Sequence, residues 1–128
     1  MREILRAGLA VAALTSLLSA CGSGVDPRRA EICRQAVPAL APAGAVPELL
    51  RVGAGPGKQT VRVDYRVAGR GEAAGKARWV LCGFGPGDEL AGVATEGGPL
   101  GGAALYLLKR YYLGSPEARS AAPGLPSR

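Results

Sequence analysis

Val61-Arg62-Val63-Asp64-Tyr65-Arg66-Val67 alternates apolar and charged side chains without a break, the period-2 signature of a β-strand with one face in a core and one in water. The chain builds outward from this strand. The Gly-rich connection Gly69 to Gly75 leads into a second strand, Lys76 to Phe84, and the pair reads as a hairpin with an extended loop. Gly85-Pro86-Gly87-Asp88 makes the next turn and Leu90 to Thr95 a third strand. Upstream, the short apolar segment Pro47 to Val52 reads either as an edge strand or as irregular chain.

Helices flank these strands. Asp26 is placed to cap a helix that has Pro27 at its first position. Ile32, Cys33, Ala36 and Val37 recur at helical spacing and form one stripe, with Arg28, Glu31, Arg34 and Gln35 mostly elsewhere. The helix is expected to end by Val37, with Pro38 and Pro42 as stops. Gly98-Pro99 is expected to open a final helix in which Leu100, Ala104, Leu107, Leu108 and Tyr111 face the core, while Lys109 and Arg110 offset its dipole. Gly114-Ser115-Pro116 ends it, and residues 114–128 are expected to be disordered. The order helix, strands, helix predicts a small two-layer α+β domain over residues 28–113. It has an N-terminal helix, an antiparallel sheet of three or four strands and a C-terminal helix.

Composition limits what such a domain can do. The chain has 128 residues, so one ordinary domain is the ceiling, and 20 Gly with 10 Pro imply a small core and long loops. One Trp, four Tyr and one Phe leave packing to Val, Leu, Ala and Ile. Histidine is absent, which excludes imidazole-based triads, His-containing metal sites and a His proton shuttle.

The N-terminus has the form of an export signal. Charged residues in Met1-Arg2-Glu3 and at Arg6 precede an apolar run from Ala7 to Leu18, shorter than the roughly 20 residues a membrane-spanning helix needs. Leu18-Ser19-Ala20-Cys21 resembles the lipobox of bacterial lipoproteins, which implies cleavage after residue 20, acylation of Cys21 and a tether over residues 21–27. By the same resemblance, Gly22 after the Cys leans towards the outer membrane. With Cys21 acylated, Cys33 and Cys82 are an even pair in an oxidising compartment, and a disulfide between helix stripe and central strand is the expectation.

If Cys82 points at the helix, alternation sends Val80 and Phe84 to the core face and Trp79 and Leu81 to the other, beside Arg62 and Arg66 of the neighbouring strand. Trp79, Leu81, Arg62 and Arg66 are therefore a candidate partner patch, unless a loop, the tail or the second helix covers Trp79.

Other motifs carry no chemistry. Gly53 to Thr60 resembles a phosphate loop but has Val52 and Gln59 where Walker A spacing needs Gly and Ser or Thr. Gly69, Gly71 and Ala74 match a dinucleotide fingerprint, yet a strand follows rather than a helix. Asp88 with Glu89, and Glu96, read as turn carboxylates; no catalytic constellation, metal site or cofactor site is assembled. Loss of Arg2, Glu3 and Arg6 with the leader takes the net charge from +6 to +5, which suits an anionic envelope component, and export argues against nucleic acid.

Arg78 to Phe84, Glu96 to Leu100 and Ala104 to Tyr111 are similar to segments of short proteobacterial lipoproteins without an assigned activity. The resemblance implies a fold-sized unit and no catalytic residue. Together these readings predict a lipid-anchored, non-catalytic binding or accessory protein facing the periplasm, held to the membrane by its anchor. The alternatives are a small enzyme with carboxylate chemistry and an assembly factor that pairs through a sheet edge.

Overall fold

The computed structural model describes residues 24–68 and 75–124. The leader, Cys21, most of the Gly69 to Gly75 connection and the last residues, 125–128, lie outside the described residues. Helix α1, Pro27–Leu40, starts where the Asp26 carboxylate accepts the N–H groups of Arg28 and Arg29 at 2.8 and 3.2 Å, satisfying donors that a helix N-terminus leaves free. It runs past the expected end at Val37. Pro38 sits in the last turn, where its missing N–H costs a single bond, and the Ala41 N–H still reaches the Val37 carbonyl at 2.9 Å. Pro42 is the effective stop: Ala41 is extended at φ −74° and ψ 159°, as a residue before proline prefers.

Five strands form one antiparallel meander in the order β1-β2-β3-β4-β5: β1 Val46–Ala54, β2 Thr60–Ala68, β3 Ala77–Phe84, β4 Leu90–Thr95 and β5 Gly98–Pro99. The α+β class is as expected. The segment around Pro47 to Val52 is an edge strand, and β5 adds a fifth to the three or four foreseen. In β1 a bulge between Leu49 and Arg51 throws Leu50 out of register, so that Leu49 opposite Tyr65 and Val52 opposite Val63 both stay on the core side. At the other edge, Gly98-Pro99 does not open a helix. Gly98 has φ +111°, a conformation open to glycine and foreign to a helix, and Pro99 lies opposite Ala94. The Leu100 N–H then donates to Val93 O at 2.8 Å.

Helix α2, Gly102–Leu107, therefore begins later than expected and continues as a π-helical turn, Leu108–Tyr112, closed by the Leu113 N–H on Leu108 O at 2.9 Å. This changes which side faces inward. Leu108 is buried, with Leu105 and Tyr112 packed beside the core, whereas Leu107 and Tyr111, expected inside, are exposed. Apolar residues surround this short helix on all sides, so only its exit from β5 fixes the inward stripe.

The core lies between α1 and one sheet face. Cys33, Ala36 and Val37 of α1 meet Val61, Val63, Tyr65 and Val67 of β2 and Val80, Cys82 and Phe84 of β3. Each fully buried valine contributes about 1.5–3 kcal/mol. Cys33 and Cys82 have their sulfurs 2.14 Å apart and their Cα atoms 5.9 Å apart, a disulfide across a sequence separation of 49.

The C-terminal segment, expected to be disordered, instead carries helix α3, Pro116–Ala121, with Ser115 as its cap and Ala118 fully buried. Two α1 side chains hold it. Gln35 Oε1 accepts the Gly114 N–H at 2.9 Å, and Arg34 donates to Pro123 O at 3.3 Å. Ser115-Pro116-Glu117 is a helix-start signal in its own right; the buried partners that make so short a helix persist are tertiary.

In the loop-entropy picture a bridge of this span is worth about 4 kcal/mol. The double substitution Cys33→Ala with Cys82→Ala is therefore expected to cost about 2–4 kcal/mol in urea unfolding, and reductant to destabilise the parent by a similar amount while leaving the variant unchanged.

Candidate functional site

Helix α1 packs against one face of the sheet; the opposite face of β1 to β4 carries no helix over it among the described residues, and Gly102 and Leu105 of α2 border its far end. Its rows follow from the pairing: Arg51 opposite Asp64 opposite Trp79, then Gly53 opposite Arg62 opposite Leu81 opposite Ala94. Trp79 and Leu81 are half-buried and Arg62 is exposed. The Arg62 guanidinium lies 5.2 Å from the Trp79 ring centroid and is held there by Asp64 at 3.0 Å. This stacks a cation on the indole face with an anion fixing its angle. Arg66 is not part of the stack, because its guanidinium turns to Glu48 on β1 at 3.1 Å.

Beyond Leu81 the face becomes apolar and shallow. Gly83, Gly92 and Ala94 carry almost no side chain, and Leu81, Pro99 and Leu105 border a groove of about 480 Å³. The β1–β2 connection closes down on Leu81: a Cβ at Gly55 would come within 2.5 Å of the Leu81 Cδ1. That loop is a strand connection, with the Gly55 N–H on Thr60 O at 3.1 Å and the Thr60 hydroxyl on Gly57 O at 2.6 Å.

The carboxylates serve structure. Glu96, in the β4–β5 turn, accepts the Trp79 N–H and the Arg78 guanidinium, each at 3.1 Å. Burial pushes its carboxyl up, but the N–H bonds from Trp79 and its own backbone, with Arg78, outweigh this and hold it below its ordinary value. Glu96 thereby fixes the start of β3, from which Trp79 projects. Nearby Tyr65 is pushed up by burial and by Glu96, with Arg78 opposing. Asp88 accepts from Arg29 at 2.6 Å and Glu89 from Lys109 at 3.0 Å, so the adjacent pair faces two different partners. Arg29 also lies over the Phe84 ring at 5.4 Å, beside a basic hollow that includes Lys58.

Among the described residues no cluster of three metal-ligating side chains occurs, and no helix is long and apolar enough to cross a membrane. Cys21 lies outside the described residues. No family model, curated protein or solved structure matches the chain.

The residues that the sequence marks for this face are its large ones. The groove floor and the tie from Glu96 to Trp79 carry no such mark. A run such as Leu90-Ala91-Gly92-Val93 does not say which side of a sheet its small residues will pave.

Two outcomes are expected. Trp79 emission should be partly quenched by acrylamide, and Arg62→Ala should raise that quenching with a red shift, whereas a fully protected indole in the parent would show the face to be covered. Because Glu96 is depressed in the folded state, its stabilisation is present above the ordinary value of 4.5 and lost as pH falls through the lower folded value. Glu96→Gln should therefore unfold at lower urea than the parent at neutral pH, and the gap should close in acid.

Proposed function

We propose that this chain is a lipid-anchored cell-envelope protein whose α+β domain binds another envelope component through its bare sheet face, without catalysing a reaction. The observation that carries the reading is the Arg62–Trp79 stack with its centroid distance of 5.2 Å, set beside the apolar groove at Leu81. Tryptophan and arginine are among the residues most often responsible for binding energy at interfaces, and here they stand on a rigid sheet.

The Cys33–Cys82 bond supports an oxidising compartment, in keeping with the export signal and the acylation motif at Cys21. The membrane is reached through the anchor, on the periplasmic side and with the outer membrane favoured by Gly22. An anionic partner suits the net charge of +5 that remains when Arg2, Glu3 and Arg6 leave the +6 of the full chain with the leader. Carboxylate catalysis is less well supported, because Asp88, Glu89 and Glu96 are each committed to a cation. Pairing through the β1 edge is also less well supported, since its bulge and Pro47 discourage an added strand.

Cells fed labelled palmitate should label the parent and not Cys21→Ala; an unlabelled parent removes the anchor. A photoreactive side chain at Leu81 should crosslink to one envelope component in intact cells. Trp79→Ala should weaken that association by at least about tenfold if the indole is an anchor residue, and an unchanged yield with a folded variant refutes the site.

A further inference from the structure

Helix α2 and its π-helical turn present a second surface, whose outer side takes no part in the core. Tyr106, Leu107 and Tyr111 are 59%, 55% and 68% exposed, while Leu105, Leu108 and Tyr112 on the other side pack inward. Arg110 shares the exposed side, with its guanidinium 5.5 Å from the Tyr111 ring centroid and no carboxylate paired to it among the described residues. Tyr106, Lys109 and Arg110 border a hollow of about 450 Å³. From Gly97 to Ser115 the sequence contains no acidic residue.

Tyrosines with an apolar body and a polar tip, a leucine between them and cations at the border match the chemistry of the zone where acyl chains meet headgroups. The absence of acid along the whole segment complements anionic lipid. Chain connectivity adds reach. Cys21 precedes the helix cap Asp26 by a stretch that spans about 17 Å when fully extended. The start of α1 is tied to this helix through Arg29 on Asp88 at 2.6 Å and Lys109 on Glu89 at 3.0 Å.

We propose that the face formed by Tyr106, Leu107, Arg110 and Tyr111 rests on the anionic bilayer that holds the Cys21 anchor. This rests on the lipid-anchor reading. The contact is weak alone and becomes persistent because the anchor keeps the face at high local concentration beside the surface.

The test uses the full protein extracted from membranes and placed in phosphatidylcholine vesicles with or without about 30% phosphatidylglycerol, an anionic fraction chosen to give a clear surface potential. Leu107→Trp in a Trp79→Phe background puts the only indole on the proposed face. Lipids brominated near the headgroup end of the acyl chain should quench it at least twofold more than they quench Trp79 in the parent. Arg110→Glu should remove most of that excess, and it should be larger in the anionic vesicles. An introduced indole open to acrylamide and untouched by brominated lipid, in protein whose Cys21 mass shows acylation, overturns the proposal and leaves the anchor standing. Unmodified Cys21 in that mass spectrum overturns the anchor reading and the proposal with it. A photoreactive group at Leu107 that captures a protein or a second copy in place of lipid also overturns it.

Discussion

The Cys33–Cys82 bond is the constraint on which the rest of the structure depends. It joins the middle of α1 to the central strand at a point where both residues are fully buried, so it fixes the helix over β2 and β3 rather than merely shortening a loop. Around it the core is made largely of valines, with Tyr65 and Phe84 as its buried aromatics among the described residues. A core of this size has little surplus over the entropy of ordering the chain. Restricting the unfolded state by a covalent link offsets part of that deficit without demanding more buried area.

Packing α1 on one side of the sheet has a cost and a use. The cost is that the other face must live in water, which the chain manages with Arg62, Asp64, Arg66 and Glu48 in ion pairs. The use is a flat, rigid platform on which an indole can be displayed without collapse into the core. Trp79 is held at two points, because Glu96 ties its backbone and Arg62 stacks on its ring. The same arrangement frees the outer side of α2 from any part in the core, and there aromatic and cationic residues collect without an acidic neighbour in sequence.

The fold is legible where a pattern has one solution. Val61 to Val67 admits a strand and nothing else, Asp26-Pro27 admits a helix start, and alternation about Cys82 separates Val80 and Phe84 from Trp79 and Leu81. Reading fails where a local signal has two outcomes. Pro38 marks a helix end in isolation, yet a proline in the last turn loses one bond and the helix continues. Gly98-Pro99 fits a helix start and a strand end equally well, and pairing with β4 chooses the latter. The inward stripe of α2 is ambiguous because Leu105, Leu107, Leu108, Tyr111 and Tyr112 offer more than one apolar face. Ser115-Pro116 is legible as a cap, but a helix as short as α3 has no stability of its own.

By itself the sequence determined the α+β class and the wet and dry sides of β2; it led to the expectation of a bond between Cys33 and Cys82, once Cys21 is set aside as the acylation site, and, if Cys82 points at the helix, of Trp79, Leu81 and Arg62 in one face. These follow from periodicity and parity, which are properties of neighbours along the chain. The tertiary structure alone decided that no helix among the described residues covers that face, that Arg62 stacks on Trp79 while Arg66 turns to Glu48, and that Tyr106, Leu107 and Tyr111 look outward. Those outcomes depend on which surfaces compete for a limited core, and residues distant in sequence settle that competition together.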